Sequence, residues 1–162
     1  MVKQTLYTAD VVTRGGRTGH IESSDGSPSA EARYATLLSY ALTDVGEIAR
    51  AEEVVQSVLA RMRDTDDPYM RVRLYWSLAR LEEAEGHASA ALTNIRKAIV
   101  LLETTEDAVN LGRAHVLAGR ILLTRTDADG ASNHLDRAER LLGFAPTPED
   151  LVEVKIQRSR IS

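Results

Sequence analysis

The sequence predicts an all-α fold, an antiparallel helix-pair solenoid of about seven helices preceded by a short N-terminal β-hairpin. Three observations predict it. Apolar residues recur at intervals of three and four from Ser29 onward. The same stretch repeats itself every 40 residues. Composition changes before residue 29, where four of the ten glycines fall among Thr, Ser and Val. Two segments follow from that break: residues 1–28 as the hairpin, and 29–162 as the helical domain.

The hairpin reading starts from Thr5–Val12, which alternates loosely and carries β-branched valines suited to strands. Arg14-Gly15-Gly16-Arg17 supplies a turn, because glycine tolerates positive φ. His20–Ser23 returns as a second strand and Asp25-Gly26 ends it. Two strands alone are marginal in water. Leu6, Val12 and Ile21 would leave an apolar face uncovered, so the expectation is a homodimer formed through the hairpin.

The repeat aligns large residues with large and small with small. Ala51, Ala91 and Ala131 share a column. So do Ser39, Ala79 and Gly119, then Leu38, Leu78 and Ala118, then Val55, Ile95 and Leu135. Small columns let two helix backbones approach closely. Gly46 and Gly86 mark turns between paired helices, with Thr126 at the third place. Asp67-Pro68 reads as an N-cap followed by proline at the first helical position. Thr147-Pro148-Glu149-Asp150 repeats that logic, with Asp150 near the positive end of the dipole. Gly143 can close the preceding helix. Residues 148–161 then form the first helix of a fourth unit and cap the array.

Tyr75, Leu78-Ala79, Gly86, Ala91, Ile95 and Ala98 carry the spacing of the tetratricopeptide repeat, which residues 30–162 resemble. Val58, Ala118 and Thr126 depart from the pattern. Leu101-Leu102-Glu103 through Gly112-Arg113-Ala114-His115 is similar, more loosely, to the repeat arrays of actinobacterial helix-turn-helix regulators. Leu6-Tyr7-Thr8-Ala9, Gly15-Gly16-Arg17 and Ser23-Ser24-Asp25-Gly26 resemble the N-terminal hairpin of organic hydroperoxide resistance (OsmC-like) proteins. That family is dimeric and uses two cysteines, with the arginine at the place of Arg17 assisting the peroxidatic thiol. This chain has no cysteine. The segment therefore reads as a fused piece without peroxidase chemistry.

Composition narrows the function. No cysteine means no thiol nucleophile, disulfide or cysteine-held metal, and fits a reducing cytoplasm. A formal net charge of -4 argues against direct nucleic-acid binding. No apolar run reaches the roughly 18–20 residues of a membrane span. No Ser/His/Asp spacing, Walker loop or HExxH motif occurs. The four histidines, His20, His87, His115 and His134, lie far apart in sequence, and no metal or cofactor is expected. Asp127-Ala128-Asp129-Gly130 imitates part of a calcium loop, but its twelfth place is Ala138, so it reads as a helix start.

The candidate site comes from the first helices of the units, which line the inner surface of such an array. Arg33, Arg73 and Arg113 share one column. Arg80, Arg120 and Arg160 share another, with Tyr40 at its first place. Thr36, Trp76, Val116 and Ile156 form an apolar track beside them. Guanidinium groups bind carboxylates bidentately, and tryptophan is a flat anchor. The pattern predicts a non-enzymatic module that binds a peptide or protein segment, acidic in character, in an arginine-lined groove. The alternative is a peptide-sensing or dimerisation domain of a transcriptional regulator without its DNA-binding domain. A plainer reading pairs the arginines with nearby acids, Arg80 with Glu83 and Arg73 with Asp66 or Asp67.

Overall fold

A computed structural model of the chain describes residues 11–14, 20–23, 28–61, 67–143 and 147–161. Seven α-helices account for most of these residues. They are α1 (Pro28–Asp44), α2 (Ile48–Arg61), α3 (Pro68–Ala84), α4 (Ala88–Leu102), α5 (Ala108–Thr124), α6 (Ala128–Leu142) and α7 (Pro148–Ser159). Pro28, expected as the last residue of the hairpin segment, is the first residue of α1. Ahead of it, β1 (Val11–Arg14) pairs antiparallel with β2 (His20–Ser23), Val12 opposite Glu22 and Thr13 opposite Ile21. Arg14, expected in the turn, belongs to β1. Leu6, Arg17 and the side chains of Val12 and Ile21 lie outside the described residues, and with them the expected apolar face. No described helix is long and apolar enough to cross a membrane.

Consecutive helices pack as pairs: α1 on α2, α3 on α4, α5 on α6. The pairs join through α1 and α2 on α3, then α4 on α5, and α7 closes on α5 and α6. The reason is visible in the columns. Ala51, Ala91 and Ala131 are each 0% exposed, and the facing small column of Ser39, Ala79 and Gly119 is buried as well. A Cβ added to Gly119 would sit 3.1 Å from Leu135 Cγ and 3.4 Å from the Ala131 carbonyl. Only a small residue fits that crossing. Val55, Ile95 and Leu135, one period apart, fill the next layer at 0–1% exposure.

Helix ends follow local chemistry. Asp67, Asp107 and Asp127 cap α3, α5 and α6 by accepting from the backbone N–H of Tyr69, Asn110 and Gly130. Asp127 thus starts a helix, as its sequence suggests. Thr147 and Asp150 form a reciprocal capping box on α7. Gly143 closes α6 with φ -58°, without the left-handed turn available to glycine.

The three turns inside the pairs are the same motif. Gly46, Gly86 and Thr126 adopt φ values of 79°, 81° and 59°. In each, the following N–H reaches back five residues: Glu47 to Leu42 (2.9 Å), His87 to Glu82 (2.7 Å), Asp127 to Leu122 (3.0 Å). The third turn therefore forces a β-branched residue into the left-handed region, which disfavours L side chains by about 1–2 kcal/mol. Thr126 is exposed, and its hydroxyl only donates to the neighbouring Arg125 carbonyl at 2.7 Å. Thr126→Gly should therefore raise stability by about 0.5–1 kcal/mol, read as a higher urea midpoint at unchanged slope. A lowered midpoint would mean that the threonine makes a compensating contact.

Candidate functional site

First helices place seven of the nine predicted site residues around two adjoining depressions. One, of about 230 Å3, is lined by Trp76, Arg80, Arg113, Val116 and Arg120, with Asp150 and Glu153 of α7. The other, of about 300 Å3, is lined by Tyr40, Arg73, Trp76, Arg80 and Arg113, with Leu37 and Tyr69. Trp76, Arg80 and Arg113 line both, so the two form one continuous groove. Arg73 and Arg113, of one column, both line the second depression. Arg33 and Arg160 line neither depression. Arg33 is exposed on α1, and Arg160 is exposed at the end of α7, donating to Gln157 Oε1 at 3.0 Å. Of the expected apolar track only Trp76 and Val116 line the depressions; Thr36 is buried and Ile156 is exposed on α7 outside both.

Most groove arginines already hold acids. Arg113 donates bidentately to Asp150, Nε to Oδ1 at 2.6 Å and Nη2 to Oδ2 at 2.9 Å. Arg120 does the same to Glu83 at 2.8 and 2.6 Å, and its Nη1 lies 3.6 Å from Glu153. Arg80 donates through Nη2 to Asp44 of α1. This corrects the expected Arg80–Glu83 pair: Glu83 is taken by Arg120, and Arg80 reaches back to the preceding unit. Each pair therefore links one unit to the next. The expected Arg73–Asp67 pair is also replaced, since the Asp67 carboxylate caps α3. Asp66 lies outside the described residues. Among the described residues Arg73 makes no ion pair.

Asp150 is 8% exposed, and the Arg113 guanidinium, helped by Thr147, holds its carboxyl down at about 2. Tyr40 donates from its hydroxyl to the Arg73 carbonyl at 3.4 Å, and the Arg80 guanidinium stands 5.1 Å over its ring. Burial pushes its phenol up, against the opposing pull of Ser77, Arg73 and Arg80. Arg80 Nε is buried without a hydrogen-bond partner among the described residues.

Leu37, Tyr69 and Asp150 are groove residues that the sequence columns missed. Leu37 and Tyr69 are 47% and 49% exposed, and their signal was a broken apolar column, Leu37 with Leu117 two periods on and Tyr69 with Val109 one period on. Asp150 was legible only as a cap, because its salt-bridge partner lies 37 residues away.

The histidines are not all far apart. His115 of α5 is buried, and its Nδ1 lies 2.8 Å from Nδ1 of His134 on α6. The fold of the pair brings them together. His115 Nε2 is buried without a partner. Donation from His115 Nδ1 leaves that nitrogen a bare acceptor, which is cheaper than an orphan N–H. His87 is exposed at the α3–α4 turn, 3.0 Å from Glu82. Ligand atoms of Glu82, Glu85 and His87 lie within 4.8 Å of one another there, away from the groove. No family model matches the chain, and neither does any curated protein.

The imidazole pair sets a pH dependence. Burial, reinforced by His134, Arg137 and Arg140, lowers His115 from the usual 6.5 to about 4. Burial likewise lowers His134, with Arg96 and Arg137 adding to it. Between these values the unfolded chain binds a proton that the folded chain refuses, so stability rises with pH. Acidification from 6.5 to 4 should remove about 3 kcal/mol through His115. Thermal melts across that window should show a falling Tm, and His115→Leu should flatten the slope. An unchanged slope in that variant would place the effect elsewhere. The loss from Asp150 belongs to a lower window, from 3.8 toward 2.

Proposed function

We propose that the chain is a non-enzymatic protein-interaction module, a tetratricopeptide-like array whose first-helix groove binds a peptide or protein segment. One observation carries the reading: Trp76, Arg73, Arg80 and Arg113 line one continuous groove between successive first helices. Its floor offers Trp76, Leu37 and Tyr69 to apolar side chains. Its polar demand is small. Arg113, Arg120 and Arg80 are neutralised by Asp150, Glu83 and Asp44, so a strongly acidic ligand would have to displace those carboxylates. Arg73, which makes no ion pair among the described residues, can donate to a single carboxylate or a backbone carbonyl. The ligand class is therefore an apolar segment with one acidic group, rather than an acidic run.

Trp76 is the single tryptophan of the chain, so its fluorescence reports on the groove. Peptides selected on the full chain from a displayed library, then titrated singly, should shift its emission. Arg73→Glu should weaken them about tenfold or more, because a hydrogen bond to a charged group contributes about 1.5–3 kcal/mol. The exposed Arg140→Glu should leave binding unchanged. Peptides that bind without moving Trp76 emission, and equally well to Arg73→Glu, would place the binding surface elsewhere.

A further inference from the structure

We propose that the outer face of α7 is a self-association surface, on which two copies of the chain pair their α7 helices antiparallel about a two-fold axis. The repeat itself identifies the face. Positions 151, 152, 155, 156 and 159 lie one period after 111, 112, 115, 116 and 119 of α5. On α5 that face receives the backbone and side chains of α6. A Cβ on Gly112 would stand 2.7 Å from Leu142 Cγ, Gly119 abuts Leu135, and His115 meets His134. Two periods back, Val72 and Ala79 are buried in the core cluster that holds Ala91 and Ile95 of α4.

On α7 the same face carries Leu151, Val152 and Ile156 at 46%, 55% and 47% exposure. An exposed helix face is ordinarily polar. Here the stripe is apolar, and Ser159 continues the small column of Ser39, Ala79 and Gly119 that permits close helix approach.

Charge selects the occupant. The inward charges of α7 are committed, Asp150 to Arg113 and Arg158 to Asp136 and Glu139. The exposed ones are Glu149 in the first turn, then Lys155 and Arg160 in the second half. An antiparallel second copy sets each acidic start beside a basic end and opposes the two helix dipoles. A parallel copy would set like beside like. With the two-fold midway between Glu153 and Val154, Leu151 faces Ile156 and Val152 faces Lys155 of the second copy. The stem of Lys155 then covers Val152, and its ammonium lies within one turn of Glu149. One helix face per copy is smaller than the roughly 800 Å2 per partner of a standard interface, so association is weak and concentration-dependent.

Sedimentation equilibrium of the full chain tests this, from about 10 μM to about 1 mM, the range of small interfaces. The mass should climb from 17.8 kDa toward twice that value. Ile156→Glu should remain monomeric with an unchanged circular-dichroism melt. Lys155→Glu alone should weaken association, as should Glu149→Lys alone. The doubly swapped chain should regain it, because each copy then offers the exchanged charges to the other. A monomer across the range would overturn the proposal. So would a dimer that persists in Ile156→Glu, which would move the interface to another surface. Singles that behave as the parent, or a double swap that fails to recover, would overturn the antiparallel register. Peptide binding at the groove is read separately, since α7 turns Asp150 and Glu153 toward the groove and the stripe away from it.

Discussion

Everything in this molecule depends on helix backbones coming close enough that only small side chains fit between them. Ser39, Ala79 and Gly119 on the first helices, and Ala51, Ala91 and Ala131 on the second, recur at 40 residues because each pair crosses at the same point. Larger residues one turn away, Val55, Ile95 and Leu135, then seal the layer at 0–1% exposure. The crossing also reaches between units. Ser39 Oγ of α1 donates to Ser77 Oγ of α3 at 3.2 Å, so two first helices touch through hydroxyl-sized groups. A methylene more at any of these places would push helices apart, at a typical loss of about 1–3 kcal/mol.

The groove follows from that closeness. First helices held near one another can exchange ion pairs across units: Arg80 to Asp44, Arg120 to Glu83, Arg113 to Asp150. These pairs are partly buried and two are bidentate, which fixes their geometry more than it adds stability. They act as staples that set the spacing of the groove wall. They also neutralise most of the positive charge a column of arginines would suggest, and leave Trp76, Leu37, Tyr69 and Arg73 as the groove residues outside these ion pairs. The proposed function rests on recognition by shape and apolar contact there, with one charge for orientation.

The periodic part of this organisation was legible in the sequence, because packing repeats whenever the crossing repeats. The columns, the Asp67 and Thr147 caps and the glycine turns at 46 and 86 all express local or strictly periodic rules. Features that break the period were not legible. Asp44, Glu83 and Asp150 stand at three different places in their units, so no column announces them as partners of repeated arginines. Thr126 signals a left-handed backbone only through its place in the column of Gly46 and Gly86, since the hydrogen bonding of the turn overrides its own side-chain preference. His115 and His134 are 19 residues apart and meet only because α5 and α6 fold back on each other. Leu37 and Tyr69 have apolar counterparts only at Leu117 and Val109, with Ser77 and Glu149 interrupting the columns, so neither stands out as a repeated groove position.

The claim that carries the account is that α1 and α3, the first helices of successive units, lie side by side in contact through small side chains. The chain has no cysteine, so replacing Ser39 and Ser77 with cysteine would introduce a single pair of thiols. Equilibration of the folded double variant with oxidised and reduced glutathione measures their effective concentration directly. The account predicts an intrachain disulfide that forms nearly completely in the native state and far less in urea, since hydroxyl oxygens 3.2 Å apart put the two side chains in contact. A native chain that forms the disulfide no better than the unfolded one would contradict the side-by-side packing on which the groove depends.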